Sequence, residues 1–255
     1  MNELVITPLG TVSPYCKGDK NCPGYLFEYH NRKILVDCGN GVTRLLKFPE
    51  DLNSLSVIIT HYHKDHYGDI GAIQYASHVY RKYLSMFGVG VNIYLPKNSI
   101  NYSRRSIMDT EEAYCSYMNI DDDTSYYFDD LNVSFKDNES HSIESYMVKF
   151  ENDDFKVVYT SDVGTTNFDK LIEFCRDSDL LICESSLLRE DRSIINTHLR
   201  AIDAGVLARE SNSKKLLLTH FWPEYGKEAY LREAMEVFEN TEVAEEGKKL
   251  ILRRN

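Results

Sequence analysis

The stretch His61-Tyr62-His63-Lys64-Asp65-His66 constrains this chain more than any other. Three histidines and an aspartate fall within six residues, directly behind the apolar run Leu55 to Ile59. Imidazole nitrogen and carboxylate oxygen are the donors that a borderline-soft divalent ion such as zinc prefers. The alternating His61 and His63 can bring both rings to one ion where a strand opens into a loop. Asp65 and His66, one turn of chain later, can reach a second ion beside it. Two ions a few ångströms apart can clamp a nucleophile and a substrate oxygen together. The competing reading is a histidine-rich loop without chemistry. It suits a bare H-x-H better than a complete H-x-H-x-D-H set behind a β-branched strand.

At these residues the sequence resembles the metallo-β-lactamase superfamily, whose first motif is H-x-H-x-D-H at a strand end. That family needs further ligands downstream in a set order: a lone His, an Asp near an S-D-x-G turn, and a last His after an apolar strand. Here they are His141, Ser161-Asp162-Val163-Gly164, and His220 behind Lys215-Leu216-Leu217-Leu218-Thr219. Gly10 and Asp37-Cys38-Gly39 fit the family's opening hairpins, so the resemblance spans nearly the whole chain. It implies one metal on His61, His63 and His141 and a second on Asp65, His66 and His220. Asp162 would bridge them, with a water or hydroxide as the other bridge and the nucleophile. The implied cofactors are two divalent ions, zinc first and manganese as the alternative. The implied fold is an α/β (α+β) four-layer αβ/βα sandwich with the metals at one shared edge. Periodicity alone supports only mixed α and β with a buried core.

His198 discriminates further. It opens Thr197-His198-Leu199-Arg200-Ala201, a short distance before His220. The ribonuclease Z-like phosphodiesterase branch has a histidine at the corresponding place, where it contacts the scissile phosphate and helps the leaving oxygen depart. A helix start there would add backbone N–H donors for an anion; a simple helix cap is the competing role. The branch often shows Ser or Thr beside this histidine, whereas Leu199 stands here. The resemblance also gives Asp65 a second role, managing the nucleophile's proton, because a metal-bound carboxylate has a lowered pKa. Two other branches fit less well. Di-iron oxygen-reducing members carry an acidic residue in place of His63, and lactam-cleaving members usually lack the counterpart of His66.

Composition sets the bounds. With 255 residues, 42% hydrophobic and 27% charged, the chain is expected to form one domain over residues 1–255, built from two packed αβ halves. No stretch reads as a signal peptide or reaches membrane-spanning length. Six scattered cysteines do not read as a disulfide framework, and Cys38 and Cys183 sit in apolar runs as small hydrophobes. Cys16 and Cys22 could form a bridge or a metal pair, but their gap is no recognised zinc spacing and two unpaired thiols are the favoured reading. A cytoplasmic protein is expected. The net charge of −11 argues against broad adhesion to nucleic acid or anionic membrane, leaving a local basic cluster at Lys97, Arg104 and Arg105.

Along the chain, strands are expected at Leu4 to Gly10, Gly24 to Tyr29, Lys33 to Val36, Leu55 to Thr60, Val91 to Leu95, Leu131 to Lys136, Ser145 to Phe150, Phe155 to Asp162, Asp179 to Ser185, Leu216 to His220 and Lys249 to Leu252. Helices are expected at Asp69 to Leu84, Asn167 to Cys175, Thr197 to Glu210 and Lys227 to Phe238. In the first of these, Ile70, Ile73, Ala76, Val79 and Tyr80 face inward and His78 lies on the surface. His30 reads as an exposed turn residue. Asn98 to Tyr127 reads as a partly exposed, Tyr-rich insertion, with Asn98 to Met118 as a candidate helix.

Three functions follow in order. The first is a two-metal phosphodiesterase acting on a small nucleotide, a cyclic nucleotide or a single-stranded nucleic-acid end. The second is a carbon ester, thioester or lactone hydrolase on the same metals, and the third a metal-binding module without turnover. Folded transfer RNA is disfavoured as a partner, because no gripping arm fits between His141 and Asp162. A homodimer is left open, and no membrane partner is expected.

Overall fold

Strands that are apolar on both faces need cover on both faces, and this chain supplies it with two sheets and helices outside each. The structure, a computed structural model, describes residues 3–97, 102–108, 114–191 and 196–253. The first sheet holds β1 (Glu3–Gly10), β2 (Gly24–Tyr29), β3 (Arg32–Val36), β4 (Leu55–Ile58), β5 (Val91–Pro96) and β6 (Cys115–Ile120). Pairing is antiparallel from β1 to β3 and parallel from β3 to β6. The second sheet repeats that plan. It holds β7 (Ser125–Phe128), β8 (Leu131–Asp137), β9 (Tyr146–Glu151), β10 (Lys156–Tyr159), β11 (Leu180–Glu184), β12 (Leu216–Thr219) and β13 (Thr241–Val243). It is antiparallel from β7 to β10 and parallel from β10 to β13. The last strand, β14 (Leu250–Arg253), returns to pair antiparallel with β1.

Alternation along each strand builds three apolar layers. Ile34 and Val36 point into the space between the sheets, and Leu35 points out. Across that space, Val157 and Tyr159 point in while Val158 points out. Phe27 of β2 stacks on Phe150 of β9 with centroids 4.1 Å apart, locking the two sheets face to face. Outside the first sheet lie α1 (Lys64–Tyr67), α2 (Ile70–His78) and α3 (Tyr102–Met108); outside the second lie α4 (Phe168–Cys175), α5 (Ala201–Glu210) and α6 (Lys227–Met235). This is the four-layer αβ/βα arrangement that the motif resemblance implied. Among the described residues, no helix is long and apolar enough to cross a membrane.

Three expectations need correction. The first helix ends at His78 and passes into a π-helical turn over Val79–Tyr83. Its buried face is Ile70, Ile73, Gln74, Ser77 and His78, so His78 is buried and Val79 is exposed. The face is half polar because its polar groups are satisfied: Gln74 Nε2 donates to Ile107 O at 2.7 Å and to Tyr117 Oη at 2.9 Å. Asn98 to Tyr127 is no insertion, since it supplies β6 and β7, the edge strands of the two sheets. Met118 lies on β6 rather than on a helix, because the parallel edge of β5 offers it a full row of backbone partners. The candidate helix survives only as α3, with residues 98–101 and 109–113 outside the described residues. β13, three residues pairing with β12, was not expected at all.

Phe150→Ala removes the ring that stacks between the sheets, and it should lower unfolding free energy by about 3–5 kcal/mol in denaturant titrations. A loss below about 1 kcal/mol would show that the sheets do not rely on this contact.

Candidate metal centre

Strands of both sheets end at one edge, and the chemistry-bearing residues sit at those ends. Asp37 follows β3, His61 and His63 follow β4, Asp162 follows β10, Glu184 ends β11 and His220 follows β12. Three of the turns use left-handed backbone at non-glycine residues: Asp37 at φ 60°, Ser161 at 53° and His220 at 61°. Such positions cost about 1–3 kcal/mol each and persist where the surroundings over-determine them. Here they turn the chain sharply enough to aim neighbouring side chains at a common point.

All seven sequence-predicted ligand candidates converge there. His61, His63, His141 and Asp162 form one group of donor atoms, and Asp65, His66 and His220 form another, each within 4.8 Å. His63 Nδ1 faces His141 Nε2 at 3.0 Å, and His66 Nε2 faces His220 Nε2 at 3.3 Å. Asp162 reaches into both groups, with Oδ1 2.9 Å from His220 Nε2 and Oδ2 3.6 Å from His61 Nε2. His61 Nε2 is buried and has no hydrogen-bond partner among the described residues. Closely set imidazole nitrogens, an orphaned buried His61 nitrogen and an unpartnered Asp162 oxygen at one point make a donor set that fits divalent metal ions.

Outer partners hold these rings in place. Asp37 accepts from His66 Nδ1 at 2.7 Å, from Thr60 N at 2.9 Å and from Tyr159 Oη at 3.0 Å. Ser186 Oγ lies 2.8 Å from His220 Nδ1, and Thr197 O lies 3.3 Å from His141 Nδ1. With the outer nitrogens engaged, the inner ones keep their lone pairs for a metal. Asn138 braces the His141 turn, accepting from His141 N at 3.1 Å and donating to Asp162 O at 2.8 Å. Ser13 Oγ donates to Asp65 Oδ2 at 2.8 Å.

Electrostatics divide the rings. Burial holds the His61 imidazolium far below its ordinary range, and the nearby His66 adds to this. Burial likewise lowers His63 and His141, which therefore present neutral rings. At His66 burial opposes the charge, but Asp162, Asp37 and Asp65 outweigh it and hold the ring well above the usual value. A divalent ion would take the place of that proton. Burial also works against the Asp162 carboxylate, yet His220, His66 and His61 keep it ionised well below the usual carboxylate range.

His198 belongs to this cluster but does not open a helix. The cap of α5 is Arg200, whose N–H goes to Asp203 Oδ2 at 3.1 Å, and Ile202 N goes to Glu233 at 3.2 Å. With those donors engaged, the expected helix-terminus anion site is not available. His198 lies in the bend ahead, its ring stacked on His220 at 5.6 Å and edge-on to His141 at 5.4 Å. Its Nδ1 lies 2.8 Å from Glu184 Oε1. Burial disfavours the imidazolium, but Glu184 outweighs it and raises His198 to about 9. A side chain at Gly164 would meet Asn196 O at 1.6 Å, so only glycine lets this segment lie against the Asp162 turn.

Sequence reasoning missed Glu184 and the supporting role of Asp37. Glu184 is 1% exposed and gathers four contacts: His198 Nδ1, Val163 N at 3.0 Å, Ser186 N at 3.2 Å and Ser186 Oγ at 2.8 Å. The available signal was a single acid ending the apolar run Leu180–Glu184. His30 is exposed in its turn, as expected.

A family model described as "Beta-lactamase superfamily domain" matches residues 32–221. "Probable metallo-hydrolase YhfI" of Bacillus subtilis is 28% identical over 244 residues, covering 94% of this chain and 96% of its own. The crystal structure of YhfI superposes with a TM-score of 0.85 at 25% identity, covering 98% of this chain and 100% of that one. Ribonuclease Z of Archaeoglobus fulgidus is 29% identical over 299 residues, covering 94% and 95%. Human tRNase Z, short form, shares the fold with a TM-score of 0.73 at 19% identity, covering 96% and 98%.

Asp37→Ala frees His66 Nδ1 and should weaken metal binding by roughly 10- to 100-fold. Competition with a chromogenic chelator measures this, and an unchanged affinity would leave Asp37 a packing role only.

Proposed function

The chain belongs to the beta-lactamase superfamily and is a metal-dependent hydrolase, and from that footing we propose that it cleaves phosphodiesters through a two-metal site. His61, His63 and His141 are assigned to one ion, Asp65, His66 and His220 to the other, and Asp162 to both. Zinc suits this nitrogen-rich set best, with manganese second. Two such ions would supply Lewis acidity and a nucleophile ionised near neutral pH. The remaining work falls to the chain's own side chains.

The observation that carries the reading is the Glu184–His198 pair beside the ligand cluster. Glu184 holds Nδ1 at 2.8 Å, so Nε2–H is the free donor, and the His198 side chain is 24% exposed, within reach of a substrate. Glu184 favours the protonated ring, which can give a proton to a departing alkoxide or phenolate oxygen. Asp65, which accepts from Ser13, is assigned the further role of orienting the nucleophile. A small nucleotide, a cyclic nucleotide or a single-stranded end is the proposed substrate class. Free thiols at all six cysteines agree with a cytoplasmic setting.

With a bis-aryl phosphate or cyclic nucleotide, His198→Ala should lower kcat by about a hundredfold while metal content holds. Glu184→Gln removes the charge that raises His198, so the ring should lose its proton at lower pH. The alkaline limb of the kcat profile should therefore move down from near 9 toward the ordinary imidazole range. Turnover of a lactone or thioester with every diester ignored would replace this reading by carbon-ester hydrolysis.

Folded transfer RNA is a poor fit. Between His141 and Asp162 the chain holds only β9, β10 and their turns. The alignment with ribonuclease Z runs to 299 positions, so that relative carries residues this chain lacks. The basic cluster is also engaged: Lys97 pairs with Asp121 at 2.9 Å, and Arg104 donates to Pro96 O at 2.6 Å. Binding folded RNA requires many phosphates to be neutralised. Processing of a precursor transfer RNA should therefore be weak and strongly salt-sensitive beside clear turnover of a small diester. Efficient, accurate trimming at physiological salt would refute this.

A further inference from the structure

Outside the ligand cluster, the segment from Ser13 to Cys22 carries two thiols that face each other. Lys17 and Lys20 pair as a short antiparallel bridge, so the chain doubles back and sets Cys16 Sγ 3.6 Å from Cys22 Sγ. Cys16 is exposed and Cys22 is buried. Tyr15 Oη donates to Glu224 at 2.6 Å, and Lys17 pairs with the same carboxylate. The Cys16 thiol donates to Asn40 O at 2.9 Å, and Cys22 N donates to that oxygen at 3.0 Å. A disulfide needs sulfurs about 2 Å apart, so closure asks for a shift of about 1.5 Å that gives up the Cys16–Asn40 hydrogen bond and draws on the turn that carries Cys16.

One end of this segment touches Asp65, and the other packs on Gly39, which lies against the Asp65 backbone. Ser13 donates to Asp65 Oδ2 at 2.8 Å. At the other end Cys22 packs on Gly39, where an added Cβ would lie 2.7 Å from Cys22 Cβ and 2.0 Å from Asp65 O. Gly39 therefore has no room for a side chain between Cys22 and the Asp65 carbonyl.

We propose that Cys16 and Cys22 form an oxidative modification site, a dithiol that peroxide closes to a disulfide, and that closure loosens the hold of Ser13 on Asp65. The Cys16 thiolate attacks one peroxide oxygen. The O–O bond breaks, Cys16 becomes a sulfenic acid, and the released hydroxide takes up the proton that Cys16 lost. Cys22 sulfur then attacks Cys16 sulfur. The S–O bond breaks and the leaving hydroxide departs as water with the Cys22 proton. Two thiols are oxidised by two electrons and one peroxide is reduced to two waters. The order follows exposure, since peroxide reaches Cys16 first and Cys22 resolves from beneath it. In reducing compartments such disulfides are transient and serve sensing.

The test treats the metal-loaded full chain with hydrogen peroxide and maps non-reduced peptides by mass. A Cys16–Cys22 linked product lighter by two hydrogens is expected, and dithiothreitol should reverse it. Metal loss to a chelator should quicken about tenfold in the oxidised form, and bis-aryl phosphate turnover should fall by a similar factor until reduction. Cys16→Ser should keep basal metal retention and turnover and lose both responses; Cys22→Ala should lose the link as well. Over-oxidation of Cys16 without a link to Cys22 would overturn the site. A link that leaves metal retention unchanged would overturn its coupling to Asp65. The mass and chelator readouts need no substrate, so their failure is distinct from failure of the phosphodiester reading.

Discussion

Asp162 lies where the two sheets meet, one carboxylate oxygen 2.9 Å from His220 and 3.1 Å from His66, and the site is built around that contact. Its side chain is 3% exposed, so its charge is tolerable only because imidazoles from both sheets surround it. His61 and His66 arrive from the first sheet and His220 from the second. If the sheets slid against each other, the carboxylate would stay buried and lose His61 and His66, keeping His220 of its own sheet. The Phe27–Phe150 stack and the layer around it are therefore part of the site's chemistry as well as the fold's stability.

A second tier of carboxylates fixes the orientation of the first. Asp37 ties His66 to Thr60 and to Tyr159 of the opposite sheet. Glu184 ties the Asp162 turn, through Val163 N, to His198 and to the Ser186 hydroxyl that meets His220. Each acid sits at a strand end and holds a ring by its outer nitrogen. Asp37 thereby leaves the Nε2 of His66 to the ligand cluster, and Glu184 leaves Nε2–H of His198 as a donor. The three left-handed residues at Asp37, Ser161 and His220 show that local backbone preference gives way to this aim.

Much of the metal centre was legible because its donors are chemically rare and ordered. His61, His63, Asp65, His66, His141, Asp162 and His220 stand at strand ends in a sequence order that few other designs would need, and the structure brings all seven together. The strands around them were legible because they are short apolar runs closed by turn residues. Less could be read of residues whose role depends on what faces them. Glu184 looks like the polar end of a buried strand until Val163, Ser186 and His198 are seen around it. His78 reads as a surface residue off the apolar stripe, yet it is buried against Tyr83 and Tyr114, and Gln74 on the same face is buried because α3 and β6 supply its partners.

By itself the sequence determined the candidate donor set, the alternation of strands and helices, and the class of chemistry that such donors support. Those properties are local: a residue type, a spacing and a period of two or of 3.6 are all carried within a few neighbouring residues. Tertiary structure alone decided that Cys115–Ile120 and Ser125–Phe128 would be edge strands, because their pairing energy comes from β5 and β8 rather than from their own composition. It alone placed His198 ahead of its helix, against Glu184, where Arg200 and Asp203 already complete the helix cap. It also turned Cys16 toward Cys22 by a short hairpin, where their spacing had left the two thiols unpaired as the favoured reading. Each of these depends on contacts between residues far apart in the chain or on the path of a turn, and neither is carried in a local pattern.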